Sequence, residues 1–378
     1  LTGGAAVYGV AVKNSAQMAV DEINAAGGLN GINFKFIATD DTHDATKVPT
    51  NYASMMEQGM QISLGTVTTG PGLEYSNLSA EDNVFFLTPS ASGDDIPKND
   101  NGFQMCFADG NQGAVAADYI NKNFAGKTIG VFYKSDDPYS ADGNQGGVAA
   151  NYVNDNYKGQ TIGVFYKSDD AYSNGIFKQF KDNLDSSISV VETVFTDAND
   201  KDFSTQISTL KDCKFIFMPI YYTPASVFMT QAKDQLAADA IYYGCDGFDG
   251  IESAEGFDIN AIPQEVTMLS HFNSKATEGA AAEFVKKYTE KYGKDTLNQF
   301  GASAYDCVYA IFNAMKEAID EGKEIDVTIS AADLSEILKE KFTGGFTYSG
   351  VTGTDITWED NGYVKKDAIK YVIKEATK

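Results

Sequence analysis

Short apolar runs alternate with stretches of helical period along most of the chain. Tyr8–Ala25 has the helical period, and no strand precedes it. Asn33-Phe-Lys-Phe-Ile-Ala-Thr39 reads as a strand, a helix follows from about Lys47 to Glu57, and Gln61-Ile-Ser-Leu-Gly65 reads as the next strand. Helix Leu73–Glu81 then leads into strand Val84-Phe-Phe-Leu87. Further strands are expected at Thr161–Tyr166, Ser189–Phe195, Phe215–Met218 and Ala240–Tyr243. Apolar runs of this length between helices indicate parallel strands covered on both faces. Their succession predicts a doubly wound α/β sheet. A chain of 378 residues exceeds one ordinary core, so two such sheets are expected.

One stretch is present twice. Asp109–Ser140 recurs as Asp142–Ser173, and 24 of the 32 aligned pairs are identical. Each copy reads as a helix followed by a strand. Two copies inside an α/β chain indicate a local tandem duplication rather than a helical solenoid.

Composition narrows the function. The net charge is −24, from 53 acidic and 29 basic residues, and every basic residue is Lys. Without clustered basic groups the chain has no footprint for nucleic acid. Without Arg it has no bidentate guanidinium clamp. The acidic surface supports solubility. Four cysteines (Cys106, Cys213, Cys245 and Cys307) form no CxxC pair, and two histidines (His43 and His271) do not complete a zinc set with them. Cys213 and Cys245 each approach a strand, where a bridge between them is conceivable, but buried free thiols are the stronger expectation. No run of about 20 apolar residues is present to span a membrane. There is no Gly-x-Ser-x-Gly elbow and no Gly-rich phosphate loop ending in Lys-Ser/Thr, so neither catalysis nor a cofactor is expected.

Two loops carry candidate chemistry. Gly65-Thr-Val-Thr-Thr-Gly70 follows a strand and opens a helix, and Thr88-Pro-Ser-Ala-Ser92 follows the next strand in the same way. Hydroxyls and free backbone N–H groups at a helix N-terminus suit a carboxylate. The carboxyl ends of strands are where open α/β sheets bind ligands. Asp21-Glu-Ile-Asn-Ala-Ala-Gly-Gly-Leu-Asn-Gly31 ends a helix on glycines able to take the left-handed cap.

With Asp109…Gln112-Gly113, Asp202-Phe-Ser204, Ile220-Tyr-Tyr222, Gly244-Cys-Asp-Gly247 and Phe300…Tyr305, these strings resemble, in order, the type I periplasmic binding proteins of the leucine/isoleucine/valine-binding family. The resemblance implies two doubly wound parallel-sheet lobes joined by three crossovers. One lobe would be residues 1–108 and 272–367, and the other 109–271 and 368–378. Ligand contact carries over to Thr69, Ser90 and Ser92 for an α-carboxylate and part of an α-ammonium, and to Asp246 for the ammonium. Tyr8, Tyr172, Tyr221 and Phe300 would wall the pocket. Tyr172 is chosen over its repeat counterpart Tyr139 because Ser173-Asn-Gly175 follows it.

The function implied is that of an extracytoplasmic solute-binding protein of an ABC importer, periplasmic or lipid-anchored on a Gram-positive cell. It would close on a branched-chain or other apolar amino acid and present it to a permease. A ligand-sensing receptor or regulatory domain on the same fold is the alternative. The family's first lobe begins with a central strand that this chain lacks, while the second lobe's central strand is present twice. One reading has Thr128–Tyr133 fill the first sheet, or that of a neighbouring molecule in a strand-exchanged oligomer. The other has a trimmed chain, with the extra unit at an edge or looped out.

Overall fold

The computed structural model describes residues 1–109, 129–134, 161–167, 173, 176–177, 189–196, 201–366 and 369–377. The chain divides into two compact units. Unit 1 is Leu1–Phe107 with His271–Asp367, and unit 2 is Ala108–Ser270 with Ala368–Lys378. The chain therefore passes from one unit to the other three times.

Helix α1 (Ala6–Ala25) buries Tyr8, Ala11, Ser15, Ala16, Met18, Ala19 and Ile23, the spacing of one helical face. It stops at Gly27 and Gly28, both at positive φ. A Cβ at Gly28 would lie 2.1 Å from the Ile32 carbonyl oxygen, so only glycine fits this turn. Helices α2 (Val48–Glu57) and α3 (Thr69–Glu81) follow, then strands β1 (Phe86–Thr88) and β2 (Gly102–Gln104), which pair in parallel.

In unit 2 come β3 (Ile129–Lys134), β4 (Thr161–Lys167) and β5 (Ser189–Phe195), helix α4 (Ser204–Leu210), β6 (Phe215–Met218), α5 (Tyr222–Ala232), β7 (Ile241–Gly244) and β8 (Glu265–Ser270). The chain re-enters unit 1 with α6 (Gly279–Tyr292), α7 (Gln299–Asp320), α8 (Ala331–Thr343), β9 (Thr357–Trp358) and β10 (Val364–Lys365), and β11 (Ile369–Lys374) returns to unit 2.

Unit 2 holds one seven-stranded sheet in the order β11-β8-β7-β6-β3-β4-β5. All its pairings are parallel except that of β11 with β8. Phe228 of α5 meets Tyr242 of β7 edge-on at 6.2 Å, and Phe203 bridges Phe195 and Phe228. Burying such a ring contributes about 1.5–3 kcal/mol.

The core of unit 1 lies between α7, α8 and the β1–β2 pair. Phe85, Phe103, Phe342, Phe346, Trp358 and Met315 fill it. Helix α1 runs along α7, and Gly301 lets them close up: a Cβ there would lie 2.9 Å from the Ser15 hydroxyl.

Unit 1 departs from the sequence expectation in its strands. Asn33–Thr39 forms no strand, and Gln61–Gly65 makes only the single bridge Ser63–Phe86. A strand is held by a neighbour's ladder. Here the two segments face a cavity of about 220 Å³, lined among others by Phe34, Phe36, Ile37, Ile62, Leu64 and Phe312. The reading that Thr128–Tyr133 fills the first sheet is also corrected, because Ile129–Lys134 lies in the sheet of unit 2. All four cysteines are buried free thiols, so Cys213 and Cys245 are not bridged.

Candidate functional site

The serine and threonine loops of unit 1 are built around the first turn of α3. Thr68 stands at the N-cap in extended conformation, and its side chain makes no cap bond. Its hydroxyl instead meets His43 Nδ1 at 2.9 Å. Thr69 accepts a bond from the backbone N–H of Gly93 at 3.2 Å, which ties α3 to the turn after β1. Glycine is required there, since a Cβ at Gly93 would lie 2.4 Å from Thr69 Cγ2.

The 90–93 turn is braced from below. Gln104 Nε2 donates to the carbonyls of Ala91 and Gly93 at 3.2 and 3.0 Å. Trp358 Nε1 in turn donates to the Gln104 carbonyl at 2.8 Å. Thr88 Oγ1 accepts from the N–H groups of Ser90 and Ala91. This bracing leaves the side chains of Ser90 and Ser92 unspent. Both residues are buried, and neither hydroxyl is bonded among the described residues. A hydroxyl not engaged by the protein can donate to and accept from a polar ligand.

Beside this turn lies an acidic group the sequence reading passed over. Burial, and then the charge of Asp95, push the Asp94 carboxyl up to about 8. A carboxyl whose pKa is raised in this way repels a ligand carboxylate less than an ordinary one does. No sequence pattern marked it; its shift comes from the fold.

Tyr8 and Phe300 come together in unit 1, buried edge to face with ring centroids 4.6 Å apart. They stand on the packed helices α1 and α7. Asn298 caps α7 by accepting from Gly301 N–H at 3.0 Å and reaches the Val7 carbonyl at 3.3 Å, holding the two rings in register.

In unit 2, Tyr221 and Asp246 emerge beyond the carboxyl ends of adjacent parallel strands. β6 and β7 pair through Met218 and Gly244, and both residues follow within three positions. Tyr221 is half-buried at the N-cap of α5. Asp246 is buried in the turn after β7. Burial pushes the Cys245 thiol well above its usual range, and the charges of Asp246 and Asp109 act the same way. Asp109 is thus a second buried carboxylate near the same thiol. The sequence reading quoted it in a motif without assigning it a role. Tyr172 lies outside the described residues.

Unit 1 also has a buried polar centre of its own. The Asp306 carboxylate accepts from Tyr348 Oη, Val351 N, Thr352 N and Thr352 Oγ1 at 2.7–3.0 Å. Lys366 Nζ donates to Thr352 Oγ1 at 3.1 Å and lies 5.6 Å from the Phe107 ring. Phe107 packs edge-on against His271 at 5.0 Å, and His271 Nε2 meets Ser303 Oγ at 2.5 Å.

Comparison with known proteins gives these loops a context. A family profile described as periplasmic binding protein matches residues 1–150 and 138–368, the two stretches overlapping inside the duplication. The chain is 29% identical to the Leu/Ile/Val-binding protein BraC3 of Rhizobium johnstonii, over 99% of this chain and 92% of that protein. Among solved structures it resembles the branched-chain amino acid substrate-binding protein LivJ of Streptococcus pneumoniae in complex with isoleucine. The TM-score is 0.74 at 22% identity, covering 99% of this chain and 97% of that one. It also resembles a solute-binding protein of R. palustris in complex with benzoate, with a TM-score of 0.71 at 16% identity, covering 100% of this chain and 91% of that one. Among the described residues no helix is long and apolar enough to cross a membrane. The fold is that of type I periplasmic binding proteins, and the chain belongs to the periplasmic binding protein family, whose members are non-enzymatic, extracytoplasmic solute-binding proteins of ABC transporters.

Proposed function

We propose that the chain binds an amino acid with a branched or other apolar side chain and delivers it to the permease of an ABC importer. The unspent hydroxyls of Ser90 and Ser92, beside the N-terminus of α3, carry this reading. They suit an α-carboxylate, with Thr69 as a further contact. Asp246 is the counter-ion for the ammonium, because an amino acid removed from water needs its positive charge paired. Tyr8, Tyr172, Tyr221 and Phe300 are the apolar wall. Ligand binding would favour a closed form of the kind the family resemblance implies. Export to the periplasm or attachment through a lipid anchor both agree with this role.

A thermal-shift screen over the twenty amino acids tests the reading. A ligand at 100 times its Kd adds about 2.7 kcal/mol of stability. Leucine, isoleucine or valine is expected to raise the melting temperature and to lower the radius of gyration in small-angle scattering. No shift with any amino acid would sink the proposal.

Aromatic carboxylates are a second reading, favoured by the structural likeness to a protein crystallised with benzoate. Asp246→Asn separates the two. Losing a charged hydrogen bond costs about 1.5–3 kcal/mol, or roughly 10–100-fold in amino-acid affinity. A benzoate has no ammonium, so its affinity would hold or rise. Ser92→Ala would weaken both ligands.

A further inference from the structure

The duplicated strands make an unusual set of pairings. On one edge of β6, Gly130 of β3 pairs with Ile216 and Val131 with Phe217. On β4, Gly163 pairs with the same Ile216 and Val164 with the same Phe217. β5 repeats the pattern: Phe132 and Phe165 both pair with Thr193. In each case the two claimants are the same residue of the repeat, 33 positions apart. The other edge of β6 is taken by β7. Neighbouring strands stand about 4.8 Å apart, and one edge presents a single row of N–H and C=O groups. One edge of β6 therefore holds one of the two strands at a time. β3 and β4 pair with each other only at their ends, Tyr133 with Tyr166 and Lys134 with Lys167. A settled seven-strand order would instead give each copy a separate partner.

We propose that β3 and β4 are alternative occupants of a single position between β5 and β6, so that the folded chain exists in two forms differing in which copy is seated. The sequence makes the exchange nearly neutral. Thr128–Lys134 and Thr161–Lys167 are the identical heptapeptide TIGVFYK, so either makes the same ladder. The eight differences between the copies all fall outside it, from Ala114/Gly147 to Pro138/Ala171. The surplus unit lengthens the connection before the seated strand or the one after it, and closure cost grows only slowly with length. One observation sets a bias. Ile176 and Phe177, buried in unit 2, follow β4 by about ten residues, so the form with β4 seated reaches them by the shorter path.

Prolines test this without reference to any ligand. Proline in a central strand removes a ladder donor and is excluded from the sheet. Val131→Pro and Val164→Pro alter the same position of the two copies. Each single variant is expected to fold, with the far-ultraviolet circular dichroism of the parent and a melting temperature within about 4 °C of it. The double variant is expected to lose its cooperative melt. If either single variant unfolds, that copy is indispensable and the proposal falls. If the double variant melts like the parent, neither strand holds the position, and the proposal falls as well. A chain lacking 109–141, which retains one complete copy, is expected to melt as high as the full chain; a large drop would show that both units are built in.

Discussion

His271 is neutral in the folded chain for reasons visible around it. It is buried, it packs against Phe107, and Lys366 lies close by. Burial first, and then the Lys366 charge, hold its pKa well below the usual value. The folded state therefore takes up this proton less readily than the unfolded state, whose histidine titrates near 6.5. Its contribution to stability is complete above about pH 6.5 and is lost as pH falls below that value toward the depressed folded pKa. The melting temperature is expected to drop between pH 7 and 5. His271→Gln keeps a polar group facing Ser303 and should flatten that drop; an unchanged pH profile would clear His271 of the role. Asp306 is buried too, and burial raises its pKa, but four donor contacts and the nearby Lys366 favour its charged form. Asp306→Ala strands the buried N–H groups of Val351 and Thr352 and removes the anion near Lys366. A loss of about 3–5 kcal/mol is expected in urea denaturation. Neither environment was legible in the sequence, because each partner set is assembled from positions far apart along the chain.

The extended segments of unit 1 show where strand patterns mislead. Phe34 and Phe36 alternate with more exposed neighbours as strand residues do. Yet residues 33–40 pair with no strand, and Gln61–Gly65 is bridged to β1 only at Ser63. Periodicity reports which face is buried, whereas a ladder also needs a neighbour at the right distance. The strands Ser189–Phe195 and Phe215–Met218 were legible because each has partners on the adjoining strands of one continuous sheet. The loops at Thr66–Gly70 and Thr88–Ser92 were legible because strand-to-helix turns place them locally. Their bracing by Gln104 and Trp358 was not, since Trp358 joins from the far end of the chain. Unpaired backbone has a measurable signature. Amide hydrogen exchange at Lys35–Ala38 is expected to be far faster than at β1 and β2, whose ladder is buried. Equal protection of the two regions would mean that the 33–40 segment has acquired a partner in solution.

Charge acts on the whole molecule at once. With 53 acidic residues against 29 basic ones, the folded chain compresses a net charge of −24. Compaction raises self-repulsion relative to the unfolded chain. Against this stand surface pairs such as Lys291–Asp21 at 2.9 Å and Lys287–Glu22 at 3.1 Å. Their lysines are about half exposed, and such pairs contribute little each. Salt weakens both effects, so its net sign shows which is larger. The Debye length falls from about 10 Å at 0.1 M to about 3 Å at 1 M. Over that range the long-range repulsion of the acidic excess is screened almost fully, while the pairs, being in contact, lose less. The Asp306 centre is buried and is screened least of all. The melting temperature should therefore rise as sodium chloride is increased from 0.1 to 1 M. The rise should be largest at alkaline pH, where the carboxylates are fully ionised, and smallest near the isoelectric point of about 4.3. A melting temperature that falls with salt at pH 8 would mean that the ion pairs outweigh the acidic excess.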